Sequence, residues 1–432
     1  MSQHVSAAPG CVTRALHDWR DAVVTVLAGM AAMIVMATLG LWAAGAAELP
    51  DASFPRVVTA VVVMAVGGSV ELSGGAGFFA QTNAAIDALP LSVSVAGALV
   101  TAAGFLRPLR HRAVAGTPEL LGRVARIALL WLVALIVVVA VAHHEFELPL
   151  GNETARTLAE PLGITPTAGF RADMALTLVF GLLWLLGVLA LALLVSRKAP
   201  LPVRLVRLQE PVRPVAFAVV ALLLAYVALG TVVGVVVAAT HGHPADTFAV
   251  IFLALPNIAW LALGLGLGAS WEGKVNSPIG LPMPRILDQV LRGSETTTLN
   301  LSSMAEHDAR VWWLPVVAAV LLLAAAFVMV VRSPARMRPW QHALHLAAAL
   351  ALTMLMICLV TRISAHYGLS LIGIGDIAAF GGEVSLQPHL WTAIGLGALW
   401  GLVAGFLAGL VASRVHRKGE VERGQDPPVG TG

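Results

Sequence analysis

Few side chains in this sequence are placed to do chemistry, and they gather where apolar stretches end. Two acids follow serines at one spacing: Ser69-Val70-Glu71 and Ser270-Trp271-Glu272, each behind a small-residue turn, Gly67-Gly68 and Gly268-Ala269. A carboxylate at a membrane boundary is either a ligand contact or a solvated group. Asn257, next to Pro256, can offer an amide at a depth where lipid supplies no hydrogen bonds. The candidate ligand-binding residues are therefore Glu71, Asn257, Glu272, Ser69 and Ser270, with no catalytic residue among them.

Other motifs imitate known sites and lack a part. Gly268 to Gly273-Lys274 has the spacing of a phosphate-binding loop, but Val275 stands where Ser or Thr would hold magnesium, and an apolar helix precedes it. It reads as a glycine-rich helix exit. His144-Glu145 opens like a zinc-protease helix, yet Leu148 occupies the second histidine's place. His143, His144, His241, His243, His366 and His389 fall on one face with Glu145 and Asp246; zinc ligation and capping of helix ends both account for them. His342 and His345 sit beside a basic loop, where snorkelling explains them better than a proton relay does. No metal and no cofactor is assigned.

These residues must be held by elements that are overwhelmingly apolar. The chain is 58% hydrophobic and 12% charged over 432 residues, which excludes a soluble domain. Ten uncharged stretches run Ala22–Gly45, Val57–Val70, Ala88–Leu106, Ile127–Ala142 and Met174–Ser196, then Val215–Thr240, Thr247–Trp271, Val311–Val331, Ala343–Thr361 and Leu390–Ser413. Most reach the roughly 17–25 residues that cross a bilayer as a helix. No apolar core precedes the first, so it is expected to serve as its own insertion signal. Cys358 lies inside the ninth stretch, which leaves no disulfide framework.

Charge decides which stretches cross, because Lys and Arg stay on the cytoplasmic side. If all ten cross, the basic residues divide 11 to 16 between the faces. If the second and seventh enter and leave on the same side, the basic residues divide 19 inside to 8 outside and the acids 7 to 17. The expected architecture is an all-α integral membrane protein with eight spanning helices and two non-spanning, re-entrant or interfacial elements. Both termini are then cytoplasmic. No charge lies in the middle of the eight spans, which counts against proton- or sodium-coupled transport.

The two odd stretches occupy matching places in two halves. Pro50-Asp51-Ala52-Ser53-Phe54 opens one and Pro244-Ala245-Asp246-Thr247-Phe248 the other. Gly181-Leu182-Leu183-Trp184 pairs with Gly397-Ala398-Leu399-Trp400. Parallel repeats over 22–199 and 213–414 follow, flanked by cytoplasmic tails 1–21 and 415–432, the second expected to be disordered. Gly397, Gly401, Gly405 and Gly409 form a smooth row along the tenth stretch, suited to close packing by another helix. Ser303 and Glu306 suggest a capping box that starts the eighth helix near Met304. Residues 286–291 read as a short helix on the membrane surface.

The polar-loop motifs resemble a known family. FPRVV (54–58), GGSVELSG (67–74), FLRPLRHRAVAG (105–116), HPADTFAV (243–250), LPMPRILDQVLR (281–292) and RSPARM (332–337) are similar to the streptophobe family over residues 14 to 418. The resemblance implies a polytopic plasma-membrane protein of actinobacterial type, and it carries no activity or ligand. The expected function is a non-catalytic, envelope-associated membrane component, with 142–172, 271–310 and 364–389 as outer contact surfaces. The alternative is a permease or lipid-handling carrier that uses the paired broken helices. The expected partners are the lipid bilayer and other membrane proteins, not nucleic acid.

Overall fold

The computed structural model describes residues 9–48, 53–76, 80–111, 117–142, 144–147, 166–196, 203–240, 242–276, 296–334, 337–371 and 375–413. The surface helix expected at 286–291 and the tail 415–432 lie outside these residues. Ten apolar helices correspond one for one to the ten stretches. They are α1 (Pro9–Ala43), α2 (Phe54–Ala65), α3 (Leu91–Leu106), α4 (Thr117–Val141) and α5 (Met174–Val195), then α6 (Val203–Thr240), α7 (Pro244–Gly266), α8 (Trp313–Arg332), α9 (Pro339–Val360) and α10 (Leu390–Ser413).

The connections on one side of the bundle form a single antiparallel sheet, an addition to the all-helical membrane part. Its strands are β1 (Val70–Ala76), β2 (Ala80–Asp87), β3 (His144–Glu147), β4 (Pro166–Ala172), β5 (Trp271–Asn276), β6 (Thr297–Leu299), β7 (Ile363–Leu371) and β8 (Gly375–Pro388). They lie in the order β3-β4-β1-β2-β7-β8-β5-β6. Each half of the chain thus supplies four strands in one order, and β2 pairs with β7 from Ala80↔Leu371 to Asp87↔Ser364 to join them.

The two halves agree in finer detail. At the end of α2 the Gly67 and Gly68 amides donate to Met64 and Val63; at the end of α7 those of Gly268 and Ala269 donate to Leu265 and Gly264. Gly67 and Gly268 both adopt φ +91°, a left-handed conformation that suits glycine at a helix exit. Val70 then pairs with Ile86 and Ala172, as Trp271 pairs with Leu299 and Pro388. The Asp173 amide donates to the Ser69 carbonyl, and the His389 amide to that of Ser270. In this register Pro55 matches Pro256, so Pro244 starts α7 well before the position equivalent to the start of α2. The matched opening motifs in the sequence are therefore not equivalent in space; α7 carries extra turns ahead of its proline.

Eight of the described helices, α1 and α4 to α10, are long and apolar enough to cross a membrane. Length alone would send α7 across and leave out α3, but packing decides otherwise. The strands follow α2, α4, α7 and α9 and precede α3, α5, α8 and α10, which fixes one end of each helix on the sheet side. α3 runs antiparallel down α1: Gly97 lies on Met33, Thr101 on Gly29 and Gly104 on Thr25. It therefore carries the chain from the sheet side to Arg107 on the opposite side.

α7 does not descend in that way. Its middle lies against Gly40 near the end of α1 and against the first residues of α3, and Gly266 rests on Leu314 at the start of α8. All three neighbours are sheet-side ends, so α7, like α2, begins and ends on the sheet side. Exposed tryptophans mark the two boundaries of the bundle: Trp42, Trp313 and Trp391 on the sheet side, Trp19 and Trp340 opposite. About 35 Å of helix separates Trp19 from Trp42 at 1.5 Å per residue, which matches a bilayer with its interfaces.

Each half has its own apolar core. One holds Met33, Phe105, Trp131 and Leu185, the other Leu222, Leu263, Trp271 and Met354. Leu91 from the first half is buried in the second core, and Leu253 from the second packs on the first. The start of α8 differs from expectation. Asn300 and Ser303 make a reciprocal capping box on a one-turn helix, Leu301–Ala305, and α8 begins only at Trp313, after a turn capped by Asp308. Asn300 wins because its carboxamide accepts the Ser303 amide at 2.8 Å.

The glycine row of α10 lies against α9 within the chain. A Cβ at Gly401 would stand 2.5 Å from the Ala347 Cα, and one at Gly405 2.8 Å from the Ala343 Cα. Backbone cannot yield as a flexible side chain can, so Gly401→Ile should destabilise by about 1–3 kcal/mol or more through overpacking. Gly395 has nothing within 4 Å of an added Cβ, so Gly395→Ala serves as control. Melting curves in detergent should fall clearly for the first and stay in place for the second.

Candidate functional site

The candidate site centres on Pro256, a proline inside the continuous helix α7. Pro256 has no amide hydrogen, and a proline within a helix also crowds the preceding turn. One turn earlier a serine from the first half bridges the Leu255 amide and the Ile251 carbonyl. Leu255 donates to the Ser92 hydroxyl at 3.2 Å, and that hydroxyl donates to the Ile251 carbonyl at 2.8 Å. The hydroxyl thus gives both backbone groups a partner beside the residue that removes an amide from the ladder.

Asn257 completes the exchange. Its Oδ1 accepts the Leu91 amide at 3.2 Å and its Nδ2 donates to the Leu89 carbonyl at 2.9 Å. Leu91 is the first residue of α3, and Pro90 before it provides no side-chain cap. The Asn257 carboxamide therefore performs, from the other half of the chain, the work of an N-cap. Ser92 and Asn257 are both buried, and so are the bonds they accept from the Leu255 and Leu91 amides. The amide foreseen as a ligand contact is committed to joining the two halves.

Beside this seam lies a half-enclosed cavity of about 300 Å³, at the small end of the range for ligand sites. Val61 and Met64 of α2 form one wall, and Val250, Leu253, Ala254, Ile258 and Leu261 of α7 another. Leu89 and Pro90 close one end, and the inward face of the sheet covers it with Val275, Ile363, Val384 and Leu386. Strand alternation explains that cover. On β5, Trp271, Gly273 and Val275 are buried while Glu272 is exposed, and on β8 Val384 and Leu386 are buried beside exposed Gln387. The two non-crossing helices and the sheet strands of the second half thus meet at one apolar chamber.

The other candidates lie near the ends of the same elements. Glu71 is on β1, opposite Ala85 and Arg171. Glu272 is exposed on β5, and its carboxylate is 3.3 Å from His389 Nε2. An exposed pair of this kind contributes little to stability. Ser69 and Ser270 use their carbonyls to receive the first amides of the α5 and α10 regions. Among the described residues that line the cavity, Asn257 is the one from this set.

The histidines are dispersed: His243 precedes α7, His389 precedes α10, and His144 and His366 stand on β3 and β7, with His143 and His241 outside the described residues. Among the described residues no three His, Cys, Asp or Glu side chains gather as a metal would require. Gly273-Lys274 lies on strand β5, where extended backbone forms no phosphate cradle. Sequence reasoning missed Ser92. Its one local signal was a serine directly after the Leu89-Pro90-Leu91 turn, at the opening of an otherwise apolar helix.

The arrangement defines a multi-pass α-helical membrane protein whose two halves meet at a buried polar seam beneath a sheet. No protein-family model, no curated protein and no solved structure matches the chain.

Removing a seam partner strands buried backbone groups. Asn257→Ala should cost about 1–3 kcal/mol, and Ser92→Ala should cost less because Leu255 and Ile251 can close onto each other. Thermal unfolding of both variants in one detergent checks the order, and an Asn257→Ala protein as stable as wild type would contradict the assignment.

Proposed function

We propose that this chain is a non-catalytic, multi-pass protein of the plasma membrane that takes up an apolar, membrane-borne molecule in the chamber between α2 and α7. The observation that carries this reading is the chamber itself: apolar, at the level of the tryptophan boundary, and walled by both non-crossing helices. Interrupted helices in corresponding places of two repeats are the usual position of a membrane protein's ligand site. Uncharged spans favour a carrier or sensor of lipid over an ion-coupled permease.

Orientation follows from charge. Arg20, Arg107, Arg126, Arg213, Arg332 and Arg338 lie towards the side opposite the sheet, while Glu71, Asp173, Asp246, Glu272, Glu306 and Asp308 lie on the sheet side. The positive side is cytoplasmic, so both termini are cytoplasmic and the sheet faces the envelope. The same reading makes the halves copies of one ancestral four-pass unit, and it keeps the kinship with the streptophobe family. A second role, as a contact surface for envelope partners, is favoured by the fusion of the outer segments into one sheet that ends in the short strands β3 and β6.

The test uses purified full-length protein and an apolar fluorophore that brightens on burial. Ala254→Phe and Val61→Phe fill the chamber from opposite walls. Both should weaken binding about tenfold or more with melting temperature unchanged. Wild-type binding in both variants would rule the chamber out as the site.

A further inference from the structure

The chemistry of the chamber's lining narrows what can occupy it, on the reading that the chamber binds a membrane-borne molecule. Among the described residues seventeen line it, and none of these carries a charge. Three have polar side chains, two engaged in bonds within the protein and one on a strand. The Asn257 amide holds Leu89 and Leu91 across the seam. The Thr361 hydroxyl donates to the Ile357 carbonyl at 2.7 Å. Ser385 lies between buried Val384 and Leu386, so strand alternation turns its hydroxyl to the opposite face of the sheet.

A ligand hydroxyl, amide or sugar inside the chamber would give up its bonds to water and meet a wall that is almost wholly apolar, its few polar side chains already engaged in holding the fold. We propose that the buried part of the ligand is a plain hydrocarbon chain, and that its polar head stays outside the chamber at the membrane boundary. A free fatty acid and the tail of a membrane phospholipid share this chemistry. The chamber discriminates by rejecting polarity along the chain rather than by recognising a head group.

The experiment places the full-length protein in lipid nanodiscs with two photoreactive probes, a fatty acid and a diacyl phospholipid carrying the same diazirine-labelled tail. Stearate and a mid-chain hydroxystearate are the competitors. Crosslinks should map to the Met64 and Leu253 walls, vanish in Ala254→Phe, and be displaced by stearate about tenfold more effectively than by the hydroxylated chain. Labelling by the fatty acid or by the phospholipid supports the inference and identifies the source of the chain. Equal displacement by the two competitors overturns the hydrocarbon rule while leaving the chamber as a site. Labelling by neither probe above the Ala254→Phe background overturns the chamber reading as well.

Discussion

A hydroxyl set against the proline-bearing turn of α7 is the contact on which the rest of this structure turns. Pro256 leaves the ladder one amide donor short, and buried backbone groups take their partners from protein. Ser92 supplies them at Ile251 and Leu255, and Asn257 returns the favour to α3. Because the donors and acceptors belong to opposite halves of the chain, satisfying a local backbone requirement also joins the molecule together.

That joint is directional. The halves build the same four-strand order, yet they meet through β2 of one and β7 of the other, which are not equivalent edges. The longer α7 reaches over α1 and α3, whereas α2 has no such extension. The chamber lies at this asymmetric junction of similar units. The exchange of Leu91 and Leu253 between the cores ties the chamber's walls to the packing of both halves.

Much of the membrane architecture was legible in the sequence. The ten stretches became ten helices because uninterrupted apolar runs admit few alternatives in lipid. The odd behaviour of α7 was readable from arginine placement even though its length suits a span. The sheet was not legible: Val70-Glu71-Leu72-Ser73-Gly74-Gly75-Ala76 and Ala80 to Asp87 are rich in Gly and Ala, with too few β-branched residues to announce strands. Their pairing is non-local and becomes visible only once the helix ends are brought together. Asn257 stood out in sequence for its depth, but its partners at Leu89 and Leu91 are more than 160 residues away. The acids Glu71 and Glu272 attracted attention by position, and the structure places them on strands β1 and β5.

The account rests on α7 returning to the face it started from. Single cysteines at His243, before α7, and Glu272, after it, with Arg338 as the opposite-side reference, can be tagged by an impermeant thiol reagent on intact cells. Positions 243 and 272 should share one accessibility and position 338 should have the other. Opposite accessibility at 243 and 272 would mean that α7 crosses, and the seam, the chamber and the matching of the two halves would fall together.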